Sequence, residues 1–99
     1  MQTRVLKYFL TVAELNNITQ AAERLHITQP TLSRQIMELE KELGVKLFDR
    51  EKRQMHLNKA GVLFQQRAMT MITVLDQTKN ELLAVNDQLS GTINIGMVE

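Results

Sequence analysis

Cysteine is absent from this chain of 99 residues. That excludes disulfide bonds and thiolate metal sites, and it fits a reducing cytoplasm. Tryptophan is absent too, and three Phe and one Tyr are the only aromatic residues, so a core must be built mainly from Leu, Ile, Val, Ala and Met. No run approaches the roughly 20 apolar residues that span a bilayer, and the first residues lack the apolar stretch of a signal peptide. The length leaves room for one small domain and an appendage. Neither sign of charge dominates, at a net +1, but the balance is uneven: residues 1–61 hold ten Lys/Arg against seven Asp/Glu, and residues 62–99 hold two against four. The basic part suits a polyanionic partner, although charge alone is a weak signal.

Proline is equally scarce. Pro30 is the only one, and it lies in LHITQPTLSRQIMELE (25–40), a segment that otherwise reads as a strong helix. Leu32, Ile36, Leu39 and Leu43 form one stripe at helical spacing, so that side must be buried. Inside a helix a proline costs about 3 kcal/mol. In the first turn it costs little, because the amide it lacks would have had no intrahelical partner. The helix is therefore expected to begin just before Pro30, with Thr28 or Gln29 as N-cap. Opposite the leucine stripe project Pro30, Ser33, Arg34, Met37 and Lys41, with Gln29 and Thr31 beside the helix start.

The rest of the chain divides at similar signals. A first helix is expected from about Thr3 to Leu15, with Val5, Leu6, Phe9, Leu10, Val12 and Ala13 on its apolar face. Asn16-Asn17 breaks it. Asn17 is a good N-cap for a short second helix, with Gln20 at the capping-box position and Ala21, Ala22 and Leu25 facing inward. His26-Ile27 makes a turn, and Gly44 ends the third helix as a C′ glycine. KLFDREKRQMHL (46–57) changes period and reads as a β-hairpin, with Arg50, Lys52 and Arg53 exposed on it. Asn58 opens a fourth helix that continues for about 32 residues, or roughly 48 Å, to Ser90-Gly91. The closing GTINIGMVE alternates like a strand, but a lone strand leaves its edges unsatisfied. It reads as the start of a further domain.

A short helix, a tight turn and a second helix with a polar outer face make a helix-turn-helix, and the basic hairpin makes it a winged one. The second helix of that motif enters the DNA major groove, N-terminal residues first. Gln29 can pair with adenine N6/N7 and Arg34 with guanine O6/N7. The hydroxyls of Thr31 and Ser33 can reach phosphates or bases, and the helix N-terminus itself attracts phosphate. Lys52 and Arg53 could follow a backbone or enter the adjacent minor groove.

The run YFLTVAELNNITQAAERLHITQPTLSRQIMELEKELGVKLFDR resembles the N-terminal DNA-binding domain of LysR-type transcriptional regulators. The match covers Leu6 to Gly61 and continues through the long helix. It includes GTINIG, which is similar to the first strand of that family's effector domain. The combination of AAERLHITQPTLSRQI, LE and ELGVKLFDR in this order is highly specific. The resemblance implies that Gln29, Pro30, Ser33 and Arg34 occupy the recognition-helix contact positions, with Thr31 among them, and that Arg53 occupies the wing contact position. Asn17-Ile18 stands where the family commonly has Ser-Phe, and Asn58 where it commonly has threonine. Both asparagines still cap helices, so the expected consequence is a slightly altered core around Ile18. The ligand-binding domain of the family is not in these residues, so a small-molecule effector is expected to act only through that missing C-terminal domain.

Other residues read more plainly. His26 and His56 have no carboxylate or cysteine at ligand spacing, and turn and strand packing account for them. Glu38, Glu40 and Glu42 are expected on a solvent face, paired with Lys41, Lys46 or Arg24. There is no nucleophile–base set, glycine-rich phosphate loop or metal spacing, so neither catalysis nor a cofactor is expected. In the fourth helix Gly61, Ala68, Leu75, Leu82 and Leu89 repeat at seven, with Phe64, Met71, Thr78 and Val85 between them. The end of the domain can cover Phe64 and Ala68, but a core of about 60 residues does not reach the later leucines. A coiled-coil-like homodimer through Phe64, Ala68, Met71, Leu75, Leu82, Val85 and Leu89 satisfies them. The resemblance implies the same helix as the dimer element, in antiparallel pairing, and leaves a tetramer of the full-length protein open.

The expected architecture is mainly α: a winged helix-turn-helix over 1–58, with three helices and a β-hairpin wing, then a linker and dimerisation helix over 59–89. The first strand of a truncated effector domain is expected over 90–99. The expected function is sequence-specific binding of double-stranded operator DNA by a dimeric bacterial regulator in the cytoplasm, at the nucleoid. The alternative is a protein-interaction module whose long helix is the working element.

Overall fold

The computed structural model describes residues 1–51 and 54–91, with side chains through Asp87. Its order is α1 (Thr3–Leu15), α2 (Ile18–Leu25), α3 (Gln29–Leu43), β1 (Phe48–Glu51), β2 (Gln54–Leu57) and α4 (Lys59–Gly91). This is the expected winged helix-turn-helix followed by one long helix. The strand expected over 90–99 lies, from residue 92 on, outside the described residues, as do Lys52 and Arg53 of the wing.

Short-range chemistry places each boundary. Asn16 ends α1 in the left-handed region at φ 55°, and its amide donates to the Val12 carbonyl. Asn17 then caps α2 by accepting the Gln20 amide at 2.9 Å. Gly44 closes α3 at φ 80°, where a side chain would be strained. Asn58 serves two elements at once: its Oδ1 accepts the Gly61 amide at 2.8 Å, and its Nδ2 donates to the Lys46 carbonyl at 3.0 Å. The second bond ties the start of α4 to the segment leading into the wing.

The chain divides into two compact units, residues 1–69 and 70–99. In the first, the apolar stripes of three helices converge: Leu6, Phe9 and Val12 from α1, Ala21 and Ala22 from α2, and Leu32, Ile36 and Leu39 from α3 are buried. Leu47, Phe48, Met55 and Ala68 complete this core. All three phenylalanines of the chain meet there. Phe9 packs on Phe48 with ring centroids 5.4 Å apart, and edge-on against Phe64 at 4.9 Å, a favourable geometry for such pairs. Ile18 is buried as well. The hairpin is antiparallel, with Phe48 opposite Leu57 and Arg50 opposite Met55. Its second strand also bonds the α1–α2 turn, Met55 donating to the Asn16 carbonyl at 3.1 Å. The wing is thus fastened at the turn as well as at α4.

The glutamates of α3 correct an expectation. Glu40 does not join Glu38 and Glu42 on a solvent face; it is only 3% exposed. Position 40 follows Ile36 by four residues and so continues the buried stripe. Its carboxylate is satisfied there: Oε2 accepts the Leu47 amide at 2.7 Å and Oε1 accepts Arg50 at 3.4 Å. Arg50 remains exposed, as expected, while its guanidinium reaches this carboxylate. Arg24 pairs with Glu14 on α1, and Glu42 pairs with the terminal amino group of Met1, both at 3.1 Å. The histidines correct a second one. His26 and His56 are both exposed; His26 is the left-handed cap of α2, at φ 59°, and His56 Nε2 lies 3.1 Å from Gln54 Oε1.

In the second unit, Val74, Leu75, Leu82, Leu83 and Val85 of α4 are all exposed. Thr78, the polar break in their pattern, turns its hydroxyl back to the Val74 carbonyl at 2.7 Å.

Candidate nucleic-acid interface

The face of interest is the first two turns of α3, and its geometry begins in the turn before it. His26 in the left-handed region reverses the chain after α2, and the Ile27 amide donates to the Ala22 carbonyl at 3.1 Å. Thr28 is the N-cap of α3, accepting the Thr31 amide on its hydroxyl oxygen at 3.3 Å. Gln29 and Pro30 are therefore the first helical residues, as the position of the proline requires. With Leu32, Ile36 and Leu39 buried, the opposite side of a rigid helix must face solvent. Gln29, Pro30 and Arg34 are exposed and Thr31 and Ser33 half-exposed.

Arg34 enters no ion pair among the described residues, and neither do Lys41 and Lys46 further along. An arginine held on a helix with no internal carboxylate partner keeps its planar set of donors for an external acceptor. The N-terminal end of the α3 dipole adds partial positive charge to the same surface. Met37, 52% exposed, adds an apolar side chain to that side.

Sequence spacing did not single out Thr19, which touches this face from α2. Its hydroxyl donates to Gln29 Oε1 at 3.1 Å. The signal was present in its position: as the second residue of α2 it has no helical carbonyl four residues back to bond. Thr11 and Thr78, deeper in their helices, do bond theirs.

The family model described as bacterial regulatory helix-turn-helix protein, lysR family, matches residues 3–62. The chain belongs to the LysR family. Among its LysR-family relatives, HTH-type transcriptional regulator BsdA of Bacillus subtilis (strain 168) is 42% identical over 97 residues, covering 97% of this chain and 33% of BsdA. HTH-type transcriptional regulator TfdT of Cupriavidus pinatubonensis is 38% identical over 95 residues, covering 96% of this chain and 42% of TfdT. The chain thus spans about a third of the length of BsdA. Among solved structures, the CbnR DNA-binding domain in complex with DNA superposes with a TM-score of 0.84 at 38% identity, over 87% of this chain and 99% of that one. The BenM DNA-binding domain on benA site 1 DNA gives 0.80 at 39% identity, over 86% of this chain and 99% of that one. The relatives are transcriptional regulators by name.

Two of the residues expected in the dimer stripe have their places in the first unit. Ala68 is fully buried inside its own chain, and Phe64 packs against Phe9. Ala68 therefore drops out as a partner contact, and Phe64 is largely committed to its own core. Met71 is half-buried, and Leu75, Leu82 and Val85 are exposed. The side chain of Leu89 lies outside the described residues.

Proposed function

We propose that this chain is the sequence-specific DNA-binding part of a bacterial transcriptional regulator. The observation that carries the reading is the exposed, donor-rich first half of α3, mounted on a fully packed core. That face is a helix N-terminus bearing Gln29, Pro30, Thr31, Ser33 and an Arg34 with no internal partner. In the major groove the N-terminal turn of α3 faces the base edges. Arg34 suits guanine O6/N7, Gln29 a base edge, and the Thr31 and Ser33 hydroxyls a phosphate or base. Lys52 and Arg53, which lie between β1 and β2 in the sequence, are assigned to the flanking backbone or minor groove. The likeness to two domains solved on DNA supports this reading.

The chain acts as a homodimer through the later part of α4, in the cytoplasm. Support comes from Leu75, Leu82 and Val85, large apolar side chains left in solvent on one helix. Monomeric proteins seldom leave such a patch uncovered. Two α3 helices related by a two-fold axis read an interrupted palindrome.

Selection of bound sites from random duplex DNA, followed by a salt titration on the selected site, tests the reading. A two-fold-symmetric site and a linear fall of log affinity with log salt are expected. Neutralising about 6–10 phosphates would lower affinity about 10³–10⁵-fold between about 50 and 200 mM salt. Equal binding to all sequences, or none to any, would return α4 to the role of a protein-interaction helix.

A further inference from the structure

The first turn of α3 has its hydrogen-bond acceptors engaged from within. Thr19 donates to Gln29 Oε1 at 3.1 Å, and Thr28 donates to Thr31 Oγ1 at 2.8 Å. A glutamine amide carries two donors and an oxygen with two lone pairs, and a hydroxyl carries one donor and two lone pairs. Each of these oxygens has one lone pair taken from within, whereas among the described residues the Gln29 NH₂ donors and the Thr31 hydroxyl hydrogen are uncommitted and project outward.

Gln29 is a long, exposed side chain at the head of the helix. Left alone it would sample many rotamers, and binding would have to bear the cost of fixing one. The hydroxyl that restrains it comes from α2. Thr11 and Thr78 spend theirs on the carbonyl four residues back, at 2.9 and 2.7 Å. Thr19, at the second position of its helix, has no such helical carbonyl and turns to the neighbouring helix instead.

We propose that Thr19 is a positioning residue for base readout, holding the Gln29 amide in one orientation across the helix-turn-helix so that its NH₂ donors are presented to the groove. The inference rests on Gln29 facing a base, as assigned above. Thr19 itself need touch no DNA. The Gln29 position should then favour a base whose major-groove edge offers an acceptor: purine N7, guanine O6 or thymine O4.

The test is a double-mutant cycle read as base preference. Relative affinities for duplexes carrying each base at the position whose preference Gln29→Ala abolishes are measured for wild type, Thr19→Val, Thr19→Ser, Gln29→Ala and Gln29→Ala with Thr19→Val. Thermal midpoints of all five serve as the folding control. Loss of one net hydrogen bond corresponds to about a threefold to tenfold fall in discrimination for Thr19→Val. Thr19→Ser restores it, and Thr19→Val has no effect in the Gln29→Ala background. Unchanged discrimination in Thr19→Val overturns the inference while leaving Gln29 as a reader. An equal loss of affinity in both backgrounds also overturns it, since Thr19 would then be contacting DNA on its own account. A Gln29→Ala variant with wild-type preference at every position removes Gln29 from the interface, and the role of Thr19 with it.

Discussion

Replacing Glu40 with alanine should be among the most damaging single changes outside the apolar core, although composition alone would mark it as a surface residue. Its carboxylate is 3% exposed and accepts the amide of Leu47 at 2.7 Å. Leu47 is itself buried, so the amide it loses as a partner has no solvent to turn to. A buried donor left unsatisfied costs about 1–3 kcal/mol. The second bond, to Arg50 at 3.4 Å, is longer, and the arginine is 39% exposed. Solvent screening holds that pair to about 1 kcal/mol or less. Together these give about 1–4 kcal/mol, a sizeable share of the 5–15 kcal/mol or so that holds a typical domain folded. For a domain of this size the thermal midpoint should fall by roughly 5–30 °C. Glu40→Gln is the informative companion. Its amide oxygen can still accept from Leu47, while its NH₂ group faces the Arg50 donors, so it should cost only about 1 kcal/mol. Urea denaturation followed by circular dichroism measures both. An alanine variant within about 0.5 kcal/mol of wild type would mean that water replaces the carboxylate at the Leu47 amide. A glutamine variant as unstable as alanine would mean that charge, not the hydrogen bond, holds the site.

Arg34→Ala should weaken specific binding by about 1–3 kcal/mol and relax base preference at one position per half-site; unchanged affinity and preference in a competition assay would remove Arg34 from the interface. Gly61→Ala should destabilise the fold although alanine is the better helix former by about 1 kcal/mol. A Cβ there would overlap the Leu47 carbonyl oxygen and come within 2.8 Å of Leu57 Cδ2, so an overpacking cost of about 1–3 kcal/mol or more should win, and a raised thermal midpoint would contradict that. Leu75→Glu with Leu82→Glu should leave a folded monomer by sedimentation, because each leucine contributes about 2 kcal/mol of burial in the pairing proposed for α4. Its affinity for a two-half-site operator should fall sharply as the half-sites become independent. A double variant that stays dimeric would place the interface elsewhere.

The elements were legible wherever the partner of a signalling residue lies within four positions of it. Asn17 caps with the amide of Gln20, Thr28 with that of Thr31, and Asn58 with that of Gly61. Each is a local bond between neighbours in sequence, so the bounds of α2, α3 and α4 could be read from composition alone. What stayed hidden depends on which distant segment arrives. The meeting of Phe9, Phe48 and Phe64 joins three elements, and nothing in their spacing announces it. Gly61 read as a heptad position, and its need for a bare α-carbon appears only when the Leu47 carbonyl is found against it. Asn58 was expected to cap a helix, but its second bond to Lys46 requires knowing that the hairpin returns beside α4.

The same distinction explains why the outward-facing residues of α3 could be expected while Glu40 could not. On a rigid helix, locating the buried side also locates its opposite. Leu32, Ile36 and Leu39 were therefore enough to turn Pro30 and Arg34 outward without any knowledge of the rest of the fold. That inference assumes that polar residues belong to the outer face, and Glu40 breaks the assumption. Ile36, Leu39, Glu40 and Leu43 share one stripe at helical spacing, and the pattern already contained position 40. Its charge argued against burial because an unpaired buried carboxylate is costly. The partners that make it tolerable, Leu47 and Arg50, come from the segment that enters the wing. A polar residue in the middle of an apolar stripe is thus better read as a demand for partners than as a surface position. In this chain that demand is met by the segment that enters the wing, so the carboxylate ties α3 to the root of the wing.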